Sequence, residues 1–233
     1  MPENNNRTIK EIWVEALQTP ETRSKILLAS ILTIVILSSM PFFFGQIEKR
    51  DGVVLNDWVL AYLPAYNVSL LIFAIIWSMG VLIVSRALYD PNIYIKYAWT
   101  LFFVNLSRMI TITIFALDPP HGMVHLIDPI TGIFYGNAVI TKDLFYSGHT
   151  STMMLVFLCV NKRSDKIVSF FAMIAVIVLL LIQHIHYTID VLAAPLFVYI
   201  IYRVTCYFLD LNEPAKITGH EGAPPNPPRQ GGL

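Results

Sequence analysis

Six apolar segments constrain the fold of this chain more than any other feature of its sequence. They lie at about residues 26–45, 67–88, 93–117, 146–161, 166–185 and 189–209. A helix that crosses a ~30 Å hydrocarbon core needs about 20 apolar residues. Only 14% of the residues are charged, against about 25% in soluble domains. We therefore predict an all-α, polytopic membrane protein with six transmembrane helices. The fourth segment is the shortest, and it fits only if its outer end is buried in protein.

Two flanking regions differ from this membrane domain, which we place at residues 25–210. Residues 1–24 contain an amphipathic segment, residues 8–22, with one apolar face made of Ile9, Ile12, Trp13, Ala16 and Leu17. Such a helix can lie in the membrane interface, or it can pack on the bundle as a capping helix. Residues 211–233 become rich in Pro and Gly, and we predict a disordered cytoplasmic tail there.

The distribution of Lys and Arg predicts the orientation of the segments. Twelve of these residues flank the side that holds both termini, and three, Lys49, Arg50 and Lys142, flank the opposite side. Because cytoplasmic loops carry the excess of basic residues, both termini are predicted to be cytoplasmic. The loop at 118–145 would then be extracytoplasmic. We expect a multi-pass protein of a bacterial cytoplasmic membrane.

The charge balance argues against nucleic acid as a partner. The chain has 16 basic and 16 acidic residues, so no basic surface for nucleic acid is predicted. Its two cysteines, Cys159 and Cys206, lie within apolar segments and form no disulfide framework. Self-association into a homo-oligomer stays an open alternative.

A polar run opens the fourth apolar segment. Ser147-Gly148-His149-Thr150 follows Asp143 and three apolar or aromatic residues. Ser147 is a typical N-cap, and Gly148 leaves the backbone accessible. A helix N-terminus presents N–H groups and the positive end of the helix dipole, which suits a phosphate. His149 would stand beside that phosphate; the alternative is a plain capped helix with an interfacial histidine.

A second polar run, His186-Tyr187-Thr188-Ile189-Asp190, opens the sixth segment. If the helix begins by Tyr187 or earlier, His186 and Asp190 face the same way. A carboxylate on one imidazole nitrogen fixes the tautomer and makes the other nitrogen a better nucleophile or base. Thr188 could cap this helix. The alternative is a structural His–Asp pair, but ionisable groups near hydrocarbon are costly, so function is the default interpretation.

Arg108 lies inside the third segment, in its outward half. A guanidinium there needs an anionic partner, and its planar fork suits a carboxylate or a phosphate. The candidates are Asp143, Asp190 and a substrate phosphate. The alternative is a purely structural ion pair.

The outer loop carries further polar residues. His121 and His125 have the spacing of metal ligands if that stretch is helical. No cluster of Cys or Glu supports a metal there, so we predict neither a metal nor a cofactor. His121, His125 and Asp128 are expected to contact headgroups or solvent.

The two polar runs resemble a known pair of motifs. Asp143–Thr150 and His186–Val191 look like the two signature motifs of sphingomyelin synthases and their relatives in the type 2 phosphatidic acid phosphatase superfamily. The Ile- and Thr-rich stretch from Arg108 to Pro120 is similar to the motif that precedes them. The resemblance spans about residues 105–195, and six membrane helices fit it.

The resemblance implies a reaction and a role for each residue. His186 would be the nucleophile on phosphorus, oriented by Asp190. His149 would protonate the departing lipid alkoxide and then deprotonate the incoming alcohol or water. A phosphocholine or phosphoethanolamine headgroup would pass, through a phosphohistidine, from a phospholipid to a lipid alcohol such as ceramide. The residues that would bind substrate are Arg108, Asp143, Ser147 and Gly148.

Three departures from the family pattern concern the substrate more than the chemistry. Thr141-Lys142 stands where relatives often have Cys-Gly, a single arginine follows Ser107 where some have two, and the Lys-x6-Arg-Pro motif of the phosphatase branch is absent. Two alternatives stay open: a lipid phosphatase or phospholipase C-type hydrolase that uses water, and a non-catalytic lipid-binding protein. A small transporter is disfavoured, because the inner segments lack a pathway of charged residues.

Overall fold

The computed structural model describes residues 7–126 and 140–211. Over these ranges the chain forms eight α-helices and, outside them, one isolated β-bridge between Val53 and Leu117. The helices are α1 Ile9–Gln18, α2 Pro20–Ile47, α3 Trp58–Tyr62, α4 Ser69–Tyr89, α5 Pro91–Ile114, α6 Gly148–Cys159, α7 Arg163–Ile182 and α8 Thr188–Phe208. The all-α prediction is confirmed for the described part of the chain.

Four of these helices, α2, α4, α7 and α8, are long and apolar enough to cross a membrane. Each exposes large apolar side chains along its length, as Leu28, Val81, Phe171 and Leu196 illustrate. A water-soluble protein rarely exposes such continuous apolar surface, whereas lipid covers it at no cost. This composition supports an integral membrane protein.

The other two predicted spans, α5 and α6, do not meet the same requirement. Helix α5 has 24 residues, but Lys96, Asn105 and Arg108 lower its hydropathy. Helix α6 has only 12 residues, or about 18 Å at 1.5 Å per residue. The six predicted segments are therefore all helical, but four of the described helices qualify as candidate spans. Of the six predicted spans, the described residues therefore support four.

The surroundings of α5 and α6 explain their composition. Helix α5 packs against α2, α4, α6 and α8, while α6 packs against α4, α5, α7 and α8. On α5, Thr100, Asn105 and Arg108 are buried by protein. Met153 and Leu155 of α6 are fully buried. Protein buries these polar side chains of α5, although its other face is exposed, and protein encloses α6 along its length. The first therefore tolerates polar residues, and the second tolerates a short length.

The N-terminal region differs from the prediction of one amphipathic helix over residues 8–22. Thr8 caps α1 by accepting a hydrogen bond from the Glu11 amide at 3.3 Å, and α1 ends at Gln18. A new helix then starts at Pro20, a residue that favours a first turn. The Trp13 Nε1 donates to the Leu88 carbonyl at the end of α4, at 2.9 Å. Helix α1 therefore packs on the bundle, at the end opposite the two histidine motifs.

Contacts between helix ends and loops define the two ends of the bundle. At the α1 end, Arg86 of α4 and Asp165 of α7 form an ion pair at 2.5 Å. At the other end, Val53 pairs with the chain that leaves α5, and Tyr187 donates to the Asp118 carbonyl at 2.8 Å. We call this second end the motif end, because the chain before α6 and the turn before α8 both lie there.

Candidate active site

The first motif forms the start of α6 as predicted. Ser147 is the N-cap, and its Oγ accepts a hydrogen bond from the Thr150 amide at 3.4 Å. The Ser151 hydroxyl donates to the Ser147 carbonyl at 2.5 Å. Ser147 is fully buried and His149 is half-buried. These bonds fix the first turn, and with it the backbone from which the His149 side chain projects.

The second motif forms a helix start that differs in detail from the prediction. Helix α8 begins at Thr188, and Tyr187 is its N-cap. His186 therefore precedes the helix instead of lying in it. The prediction that Thr188 caps this helix is wrong. The Thr188 amide and hydroxyl both donate to Asp57, which lies in another loop. Asp190 stabilises the helix start, since its Oδ2 accepts from the Tyr187 amide at 3.0 Å.

His186 and Asp190 nevertheless face each other. His186 Nδ1 lies 3.5 Å from Asp190 Oδ2, slightly beyond a good hydrogen bond. The two side chains are 1% and 0% exposed. Among the described residues, neither His186 Nδ1 nor Asp190 Oδ1 has a hydrogen-bond partner. Because Nδ1 faces the carboxylate, Nε2 is the nitrogen that can react.

The two motifs meet through both backbone and side chains. The Ser147 amide donates to the Asp190 carbonyl at 3.2 Å, which joins the start of α6 to the start of α8. The rings of His149 and His186 have centroids 6.1 Å apart and planes inclined by 66°. One phosphate group can contact both rings at that separation. The Ser147 amide is engaged by this bond and cannot donate to another acceptor.

Arg108 lies beside the first motif, and one of the three candidate partners is bound to it. It forms an ion pair with Asp143. Its Nε donates to the Tyr146 carbonyl at 3.0 Å, and one terminal nitrogen lies 3.4 Å from the Asn105 side-chain oxygen. The Arg108 side chain is 7% exposed and the Asp143 side chain is 26% exposed. Arg108 is therefore a buried cation at the start of α6, held by the residues that lead into it.

Gly148 allows this close approach. A Cβ atom at position 148 would lie 2.7 Å from the Arg108 Cζ and 2.7 to 2.8 Å from its terminal nitrogens. Those distances are far shorter than van der Waals contact, so any other residue at 148 would displace the guanidinium. The sequence suggested an accessible backbone at Gly148, and the structure shows that Arg108 occupies the space.

Two carboxylates that sequence reasoning did not identify hold the motifs from the loop after α2. Glu48 accepts from the Thr141 and Lys142 amides at 2.6 and 2.7 Å, just before Asp143. Asp57 accepts from the Thr188 amide at 2.6 Å and from its hydroxyl at 3.0 Å. Their partners lie 93 and 131 positions away in the chain, so no local pattern could reveal them.

Burial tends to raise the pKa of the Asp57 carboxyl. Hydrogen bonds from Thr188, Leu60 and Val59 outweigh that effect and bring the pKa below its ordinary value. Similarly, the Lys142 ammonium lowers the pKa of Asp118, at 2.8 Å. Both carboxylates are therefore ionised at neutral pH, and the Lys142 ammonium balances the charge of Asp118.

The remaining histidines of this end lie outside the site. The chain at His121 and His125 forms a turn and irregular structure instead of a helix, so the spacing expected of metal ligands is not realised there. No cluster of three metal-ligating side chains occurs in the described ranges. Asp128 falls outside them. The ring nitrogens of His184 lie 3.2 Å from the His121 carbonyl and 3.0 Å from the Leu63 carbonyl, which gives it a packing role.

Comparison with known families agrees with this geometry. Residues 142–207 match the family model described as PAP2 superfamily C-terminal. That match supports placement in the PAP2 superfamily, whose members are generally phosphatases or phosphotransferases. It covers Asp143, Ser147, Gly148, His149, His186 and Asp190, and it leaves Arg108, Glu48 and Asp57 outside. No curated protein matches the chain.

The match supports a membrane enzyme that acts on lipid phosphates. Both predicted motifs fall within it, and the structure brings them together with Arg108 and Asp143.

Proposed function

We propose that this protein is an integral membrane phosphotransferase that moves a phospho-headgroup from a glycerophospholipid to a lipid alcohol of the ceramide type. The observation that carries the proposal is the pairing of His149 with His186, at a ring separation of 6.1 Å. His186 turns Nδ1 towards Asp190, at 3.5 Å. Two imidazoles, one of them backed by a carboxylate, are the groups that a covalent phosphotransfer requires.

In the first step, His186 Nε2 attacks phosphorus and a P–N bond forms. The P–O bond to diacylglycerol breaks, and the alkoxide takes a proton from His149. Asp190 stabilises the positive charge that develops on the His186 ring. Arg108, directly behind Gly148, and the amides at the start of α6 stabilise the charge on the phosphoryl oxygens.

In the second step, the acceptor hydroxyl gives its proton to His149 as its oxygen attacks phosphorus. The P–N bond breaks and His186 is restored. A ceramide-type alcohol gives a new phospholipid, while water gives a free phospho-headgroup. The histidine chemistry is the same for both acceptors, so acceptor choice depends on which hydroxyl reaches His149.

The charge of the site favours phosphodiesters over phosphomonoesters. Asp143 already neutralises Arg108, and no second arginine accompanies it in the sequence. A phosphomonoester carries about −1.5 to −2 charges at pH 7, whereas a phosphodiester carries one. The Asp143 side chain is 26% exposed and can also attract a cationic headgroup. A phosphatase or phospholipase C-type hydrolase is the second candidate, because the same residues can activate water.

A substrate panel tests the proposal. Purified full-length protein is given choline and ethanolamine phospholipids, each with ceramide, with diacylglycerol or with no lipid alcohol, beside phosphatidic acid and a polyprenyl pyrophosphate. We expect headgroup transfer to ceramide to exceed its release into water by about tenfold or more, which corresponds to roughly 1.4 kcal/mol. Faster hydrolysis of phosphatidic acid or of the pyrophosphate than of any phosphodiester would identify a phosphatase and contradict the transferase proposal.

The proposed orientation places the motif end outside the cytoplasm and both termini inside, in a bacterial cytoplasmic membrane. The supporting observation is the twelve-to-three distribution of basic residues between the two sides. Asp51 is exposed near the motif end and Ser164 is exposed at the α1 end, while both native cysteines are buried. A membrane-impermeant maleimide on intact cells should label Asp51→Cys and spare Ser164→Cys; the reverse pattern would invert the topology.

A further inference from the structure

Asp57 connects the loop after α2 to the catalytic end of α8 through a complete set of hydrogen bonds. Its Oδ1 accepts from the Val59 amide at 3.0 Å, the Leu60 amide at 3.3 Å and the Thr188 hydroxyl at 3.0 Å. Its Oδ2 accepts from the Thr188 amide at 2.6 Å. One carboxylate therefore caps α3 and holds the first residue of α8 at the same time.

The position of Thr188 gives these bonds a functional consequence. Thr188 is two residues after His186 and two before Asp190, within the turn that carries the pair. His186 itself precedes α8, so helical hydrogen bonds do not fix its backbone. The angle at which the chain enters α8 sets the distance between His186 and Asp190. Three side chains hold this entry by hydrogen bonds, and Asp57 does so from another loop, beside Asp190 and Tyr187.

We propose that Asp57 is a positioning residue, which keeps His186 aligned with Asp190 and with His149 by anchoring the start of α8 through Thr188. Asp57 lies outside the residues that match the family model, and it contacts neither histidine in the described hydrogen bonds. The proposal rests on the proposed function for its effect on turnover. The alignment of the His186 ring can be measured without any substrate.

The chemistry of the four contacts predicts which substitutions matter. All four partners are donors, so both oxygens of Asp57 must be acceptors. In Asp57→Asn, one oxygen becomes an NH2 group that meets an N–H or O–H donor in either orientation. Thr188→Val removes the hydroxyl donor and keeps the shape of the side chain, whereas Thr188→Ser keeps the hydroxyl. Asp51 is an exposed carboxylate of the same loop, so Asp51→Asn is the matched control.

The expected kinetic result is a loss in kcat with little change in KM. A small misplacement of catalytic groups costs up to about 100-fold in rate, and we expect Asp57→Asn to lower kcat about 10- to 100-fold. Thr188→Val should show a smaller loss, because the amide contact stays. Thr188→Ser and Asp51→Asn should retain wild-type values. KM should change about twofold or less, since Asp57 does not bind the lipid.

The deciding readout is the ring signal of His186 itself. Full-length protein in lipid nanodiscs is labelled with ¹⁵N-histidine, and the His186 ring signals are assigned by their loss in His186→Gln. We expect the ¹⁵N chemical shifts and the tautomer of the His186 ring to change in Asp57→Asn and Thr188→Val, and to stay unchanged in Thr188→Ser and Asp51→Asn. Unchanged His186 signals in Asp57→Asn overturn the proposal, even if the variant loses thermal stability.

The two failures are distinguishable. If the wild-type protein turns over no lipid phosphate or phospholipid, the proposed function fails, and the His186 signals still decide the role of Asp57. If the wild type is active and Asp57→Asn keeps its kcat, the positioning role fails while the function stands.

Discussion

Replacement of His186 by Asn is expected to lower headgroup turnover by about 10⁴-fold or more, because it removes the nucleophile of the proposed covalent step. Asparagine keeps a polar side chain of moderate size at a site that is 1% exposed, so the fold should survive. The measurement is kcat/KM for a choline phospholipid, with thermal unfolding of each variant in parallel.

Two companion variants make this first prediction specific. His149→Asn should lose about 10²- to 10⁴-fold, the usual contribution of a general acid–base. His184→Asn is the matched control, since that histidine contacts two loop carbonyls and neither motif histidine in the described contacts. Its turnover should stay within about tenfold of wild type. Wild-type turnover in His186→Asn would remove the catalytic assignment altogether.

Removal of Arg108 is expected to lower both the stability and the activity of the protein. Arg108→Ala leaves Asp143 without its cation and the Tyr146 carbonyl without its donor. Breaking a buried ion pair costs about 3–5 kcal/mol, and the 26% exposure of Asp143 reduces this to about 2–4 kcal/mol. Turnover should fall by about 10²- to 10³-fold, as when one donor to a transition-state oxyanion is lost. Chemical or thermal unfolding and kcat measure the two effects.

A double variant separates stability from catalysis. Arg108→Ala combined with Asp143→Ala removes both charges, so no uncompensated carboxylate remains and part of the stability should return. Turnover should not return, because the cation behind Gly148 is still missing. A double variant as active as wild type would show that the ion pair is only structural.

Gly148→Ala offers a milder probe of the same contact. The added Cβ would lie 2.7 Å from the Arg108 guanidinium and would push it from the Tyr146 carbonyl. Gly80→Ala, in α4, has no atom within 4 Å of the added carbon and serves as the control. We expect reduced turnover in the first variant and unchanged turnover in the second.

The sequence predicted the positions of the main helices because apolar runs of about 20 residues have few other solutions. It also predicted that Ser147 caps α6, since an N-cap depends on local chemistry alone. The same local reasoning misjudged Thr188. The Thr188 hydroxyl does not cap the helix, because it donates to the Asp57 carboxylate in another loop. The Asp190 carboxylate stabilises the helix start instead, by accepting from the Tyr187 amide.

The remaining features depend on long-range contacts that hydropathy does not encode. Asp143 could be recognised as one of three partners for Arg108, but only the folded chain selects it. The short length of α6 follows from its enclosure by four other helices, and the roles of Glu48 and Asp57 follow from segments that meet only after folding. A polar residue in a loop gives no local sign of which helix start it will hold.

The most direct test of the central claim is to trap the covalent intermediate. Protein is mixed with a phospholipid labelled at phosphorus, quenched at alkaline pH where phosphohistidine survives, and mapped by mass spectrometry of its peptides. We predict the phospho-headgroup on His186, its absence in His186→Gln, and no label on His149. Label on His149 would reverse the two roles, and a wild-type enzyme that turns over the lipid yet carries no label on either histidine would contradict the covalent mechanism.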